Sequence, residues 1–137
     1  MKWFIFPWLA VAVAAWLAMT HDWHGSPYDT ADQVWSLSEL DGKPFAATAT
    51  LTFPEAGKIA GKAPCNRYFG ALPGTYPAFK PEKVGATRMA CPDLQAETVF
   101  FQALAAMTTA NVAGNTLTLT GPDGRNMVFT VASQSPD

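Results

Sequence analysis

The sequence predicts a mainly β domain with one packed helix, an α+β fold, from three observations. Several short segments alternate apolar and polar residues, the period of a half-buried strand. One segment alone, from Pro92 to Met107, carries apolar residues at helical spacing. The chain holds 2 cysteines, Cys65 and Cys91, downstream of an apolar N-terminus, the composition of a small exported domain closed by a disulfide.

The elements follow in order. Val34 to Leu40 alternates, and Asp41-Gly42 supplies a turn signal. Thr48 to Phe53 is rich in β-branched threonine and predicts a second strand, closed by the turn Pro54 to Gly57. Lys58 to Lys62 predicts a short third strand. From Gly70 to Pro81, Pro73, Gly74, Pro77 and Pro81 interrupt Leu72, Tyr76 and Phe79, so one or two short strands with irregular edges are expected there. Pro92 suits the first position of a helix, and Asp93 and Glu97 favour the positive end of its dipole. Leu94, Phe100, Phe101, Leu104 and Met107 form the stripe expected to pack on the sheet, Phe100-Phe101 as core rather than as an aromatic ligand platform. Thr116 to Thr120 and Asn126 to Val131 flank Gly121-Pro122-Asp123-Gly124 as a terminal hairpin.

At 137 residues the chain has room for one domain. Residues 1–20 are expected to be a signal peptide or N-terminal membrane anchor, 21–32 a linker, and 33–132 the folded domain. Lys2 followed by the apolar run Trp3 to Met19 has the layout of a secretory signal, with small residues for cleavage around Ala14. The same run, about 17 residues long, reaches the lower limit for a helix that spans a bilayer and anchors the chain. Both readings export the domain, soluble or tethered. Net charge is −2, which excludes a general attraction to nucleic acid. Six basic residues from Lys58 to Arg88 stand against Glu82 alone, a basic middle that would suit an anionic ligand or an unidentified envelope protein. Solvated lysines on loops explain the same pattern.

An even cysteine pair in an exported domain reads as a disulfide between Cys65 and Cys91. Closing a loop of about 25 residues would stabilise the fold by roughly 3–4 kcal/mol. Two separate buried thiols are the alternative. A thiol enzyme using Cys65 or Cys91 would need a histidine, but His21 and His24 both precede the folded body. Those histidines and Asp22 sit on the linker, which gives no rigid frame for a metal. Glu39, Asp41, Glu55 and Asp123 fall at turns, where solvation is the default. No phosphate-binding glycine loop occurs, and no catalytic residue, cofactor or metal is assigned.

Trp35-x-Leu37 with Leu40-Asp41-Gly42, then Gly61-x-x-x-Cys65-Asn66-Arg67-Tyr68-Phe69-Gly70, then Thr87-Arg88-Met89-Ala90-Cys91, then a helix containing Glu97, then Leu117-x-Leu119 resemble the META domain, or HslJ-like, family. The resemblance implies a compact, antiparallel, barrel-like sheet with one helix. It also implies a heat-shock-related envelope protein that serves stress tolerance without assigned chemistry. Many relatives are lipoproteins; no cysteine precedes Cys65 here, which leaves the Trp3 to Met19 segment as the only candidate to tether the domain to the inner membrane, the alternative being a soluble protein of the bacterial periplasm.

The expected function is therefore a non-enzymatic exported domain that acts by binding in the cell envelope. A small-molecule carrier with a barrel cavity is the alternative, opposed by aromatic residues (Trp35, Phe53, Phe69, Phe100, Phe101, Phe129) ample to fill the interior. Candidate binding residues are Asn66, Arg67 and Arg88. Asn66 also suits a structural turn. The two arginines would lie close together, to clamp an acidic group or to pair with Glu97 or Asp93.

Overall fold

Alternation along the chain resolves into two antiparallel sheets in the computed structural model, which describes residues 26–30 and 32–132. The strands are β1 (Trp35–Leu40), β2 (Lys43–Pro44), β3 (Thr50–Leu51), β4 (Lys58–Lys62), β5 (Arg67–Ala71), β6 (Glu82–Ala86), β7 (Thr109–Ala113), β8 (Thr116–Thr120) and β9 (Asn126–Val131). The helix α1 (Leu94–Ala106) separates β6 from β7. One sheet runs β2-β1-β9-β8-β7 with β3 also on β1, and the other runs β4-β5-β6. The expected mainly β, α+β fold is present. The antiparallel strands form two sheets joined at corners rather than a closed barrel, with no ladder between β6 and β7 among the described residues.

The corner explains why the strand expected over Thr48 to Phe53 is short. Ser36 pairs with Thr50, whereas Thr52 bridges Ala60 of β4, so the segment leaves one sheet for the other within two residues. A second bridge, Ala78 to Thr109, lays the proline-rich excursion against β7. The excursion itself holds no full strand over Leu72 to Pro81; the strands flank it as β5 and β6. Pro92 and Asp93 form a turn ahead of α1 rather than its first residues.

Trp35, Leu37, Leu117, Leu119, Met127 and Phe129 come from alternate positions of β1, β8 and β9 and bury nearly completely. Register sets this layer: Leu37 faces Phe129, and Leu119 faces Met127. From α1, Phe100, Ala103 and Leu104 close the core, with Met107 just past its end. Phe53 is buried as expected and Phe101 half so, but Phe69 is 60% exposed because its neighbour Tyr68 takes the inward position. Leu94, assigned to the apolar stripe, is also exposed. Part of the 21–32 stretch contributes to packing: Tyr28 stacks on Phe53 with ring centroids 4.8 Å apart and donates its hydroxyl to the Ala78 carbonyl at 2.8 Å. Burial, with Tyr76 close by, pushes the Tyr28 phenol up to about 12.

Two details position the remaining loops. Asp41 does not stand free in solvent. Its carboxylate pairs with Arg125 at 3.0 Å and accepts the Asn126 N–H at 3.1 Å, tying the β1–β2 turn to the β8–β9 turn. The Arg125 hydrogen bond holds its pKa below the usual carboxylate value. Across the other sheet, Gly61 faces Tyr68, whose hydroxyl donates to the Thr50 carbonyl at 2.6 Å. Burial drives that phenol far above its ordinary pKa. A Cβ at Gly61 would overlap the Thr50 carbonyl oxygen and stand 2.8 Å from the Tyr68 hydroxyl. Gly61→Ala is therefore expected to cost about 1–3 kcal/mol, as overpacking does. Urea denaturation would check this, and an unchanged midpoint would show that the corner yields.

Candidate functional site

The segments around the two cysteines converge because β4, β5 and the approach to α1 end at one place. Cys65 and Cys91 are joined by a disulfide with their α carbons 5.8 Å apart, inside the usual range for a bridge. No free cysteine occurs among the described residues. A thiol nucleophile needs a free thiolate, and both cysteines are held in the bridge.

Glu97 organises the polar groups beside the bridge. It lies one turn into α1, on the face of Phe100 and Leu104, and is 5% exposed. Its Oε1 accepts the backbone N–H groups of Cys65 and Asn66, both at 2.8 Å. Its Oε2 accepts the Asn66 side-chain amide at 2.7 Å. Asn66, also buried, donates further to the Met89 carbonyl at 3.1 Å. Its Oδ1 accepts the Met89 N–H at 2.6 Å and the Thr87 hydroxyl at 2.9 Å. The Thr87 hydroxyl oxygen accepts the Arg67 N–H at 3.2 Å, which continues the chain of bonds into β5. Asn66 thus makes four side-chain hydrogen bonds, the full capacity of its amide. Its role in the structure is to hold two loops together.

The arginines are placed differently from expectation. Among the described residues neither Arg67 nor Arg88 forms an ion pair, and the oxygens of Glu97 are already taken by Cys65 and Asn66. Nor do the arginines share one clamp. Arg67 lines a cleft of about 450 Å³ with Lys62, Pro64, Cys65, Thr87 and Met89. Arg88 lines a separate, shallower hollow of about 340 Å³ with Ala90 and Leu94. Asn66, Thr87 and Met89 border both. Met89, which the sequence reading left without a role, is 64% exposed between them. Among the described residues no group of three or more His, Cys, Asp or Glu side chains is gathered as metal ligands. His21 and His24 lie outside the described residues.

The segment that holds the cysteine loops, Glu97 and the terminal hairpin lies within a match to the META domain over residues 29–134. It belongs to the META domain family. Among solved structures this META domain is similar to a protein from Burkholderia xenovorans determined by NMR, at 24% identity and a TM-score of 0.62, covering 81% of this chain and 92% of that one. A second similar fold, a DUF4847 family protein from Bacteroides vulgatus seen by crystallography, is 14% identical with a TM-score of 0.57, covering 78% of this chain and 97% of that one. At these identities the likeness is one of fold. No curated protein matches this META domain.

The sequence places Glu97 at the helix start and as a partner for the arginines, and misses its role as the buried acceptor for Cys65 and Asn66. Its signal is its position: it continues the apolar stripe of Phe100, Leu104 and Met107 one turn toward the N-terminus. A carboxylate on a buried face needs donors, and the bridged loop supplies them.

Proposed function

We propose that this META domain is an exported, non-enzymatic binding module of the bacterial cell envelope that serves stress tolerance. One observation carries the reading. The polar groups beside the disulfide are spent on each other, while Arg67 and Met89 are left to solvent on a rigid rim. A surface of this kind suits recognition of an acidic group, because fixed backbone lowers the ordering cost of binding. Lys62 and Arg67 on the larger cleft supply cations of the right sign, and Arg88 extends the rim. The disulfide supports an oxidising compartment, and the Trp3 to Met19 segment is the export signal or the inner-membrane tether. The carrier alternative gains no support from the interior, where Trp35, Tyr68, Phe100 and Phe129 are almost wholly buried. Among the described residues no helix is long and apolar enough to cross a membrane.

The test is affinity capture from envelope extract with the full chain and with an Arg67→Ala/Arg88→Ala variant. Loss of charge-assisted hydrogen bonds is expected to lower capture of a specific partner about tenfold or more. Equal capture by both proteins would dismiss the arginine rim, and recovery of the protein from the cytoplasmic fraction would dismiss export.

A further inference from the structure

We propose that the open edge of β6 takes up an extended polypeptide segment of another protein as an added strand, with a bulky apolar side chain seated against α1. Strand β6 ends its sheet, and among the described residues nothing pairs with its outer side. The Thr87 N–H donates to the Arg67 carbonyl at 3.0 Å, toward β5. Backbone groups alternate along a strand, so those of Val84 and Ala86 face away from β5, toward the open edge. Their side chains point inward, because Ala86 pairs with the buried Tyr68. There Val84 and Ala86 form one wall of an apolar groove whose other wall is Phe101, Leu104 and Ala105 of α1.

Edge and groove together specify the occupant. An apolar groove alone would accept any greasy group, but unsatisfied N–H and C=O groups beside it call for another backbone. The groove volume is about 360 Å³, at the low end for ligand clefts of roughly 300–1,000 Å³. That space suits one or two large side chains rather than a folded partner. Helix α1 forms the facing wall of the groove, so a side chain that enters it lies between the helix and β6. Lys83, with φ of 53°, breaks the extended backbone at the start of β6 and confines the open stretch to Val84–Ala86. Protected edges usually lack exposed apolar residues, yet Val84 is 39% exposed. This groove shares no lining residue with the cationic cleft and does not depend on it.

The test pans the full chain, expressed for export in a bacterial host, against a random octapeptide library. Enriched peptides are then synthesised with a fluorescent label and measured by anisotropy. Enriched sequences are expected to lack proline and to carry a leucine, phenylalanine or similar residue. N-methylation of the alternate amides that face β6 should weaken binding at least tenfold, while methylation of the other set leaves it within twofold. Hydrogen exchange at the Val84 and Ala86 amides should slow when peptide is added. Ala105→Arg, on an exposed helical position, should fill the groove and weaken binding at least tenfold. Absence of any enriched peptide, equal loss from both methylation sets, or unprotected Val84 and Ala86 amides would overturn the proposal. So would slowing of those amides by protein concentration alone, which would mark a second copy. If Ala105→Arg does not fold, the methylation series and the exchange data decide.

Discussion

A Glu97→Ala variant is expected to lose about 3–5 kcal/mol of stability, a large share of the roughly 5–15 kcal/mol typical of such a domain. The loss does not come from the side chain's own packing. Three donors, the N–H groups of Cys65 and Asn66 and the Asn66 amide, would be left in a buried site without an acceptor. Each unsatisfied buried donor costs about 1–3 kcal/mol, and water admitted to the gap would recover part of it. Glu97→Gln separates the contributions. Its carbonyl oxygen can still serve Cys65 and Asn66, but its NH₂ would meet the NH₂ of Asn66. Flipping Asn66 relieves that clash only by turning NH₂ toward the Met89 N–H and taking the acceptor from Thr87. A cost of about 1–3 kcal/mol is expected for Gln, between wild type and Ala. Urea denaturation of the three proteins checks the order, and faster amide exchange at Cys65 and Asn66 locates the effect. If Glu97→Ala fell within 1 kcal/mol of wild type, the carboxylate would not be the anchor described.

Removing the bridge, by Cys65→Ser/Cys91→Ser or by reduction, is expected to cost about 2–5 kcal/mol. For a domain near this size that corresponds to a fall in Tm of roughly 10–25 °C. The fold should survive at room temperature, because Glu97 and Asn66 still hold the same loops through hydrogen bonds. The bridge and the carboxylate act on adjacent backbone, so the triple variant should not show the simple sum of the separate losses. A scanning calorimetry cycle over wild type, the serine pair, Glu97→Ala and their combination measures that coupling. Strict additivity would mean that the bridge and Glu97 stabilise independent parts of the domain.

What was legible in the sequence follows from how each element buries its side chains. Strands β1, β8 and β9 each have one wet face and one dry face, and Trp35-Ser36-Leu37 and Leu117-Thr118-Leu119 carry that asymmetry in their residue types. In β6 the first three residues, Glu82, Lys83 and Val84, are all exposed, and Lys83 has positive φ. No alternation marks such a strand, so it is hidden behind Pro81. β7 is similarly faint, since Thr109, Ala110 and Ala113 are small and weakly polarised between faces. β5 does alternate, with Tyr68 inward between Arg67 and Phe69, but two aromatic neighbours obscure which one is core. At the site, the cysteines are legible through their even count and export context. The partners of Arg67 and Arg88 are not, because charge sign alone pairs them with Glu97. Only three-dimensional placement shows Glu97 committed to the Cys65 and Asn66 N–H groups.

The measurement that bears most directly on the account is a thiol titration of the full-length protein. The protein should be recovered from its native compartment with alkylant present throughout, then denatured without reductant. A chain exported and closed between Cys65 and Cys91 should show no reactive thiol before reduction and two after it. Two reactive thiols before reduction would contradict both the bridged loop and the oxidising location inferred from it.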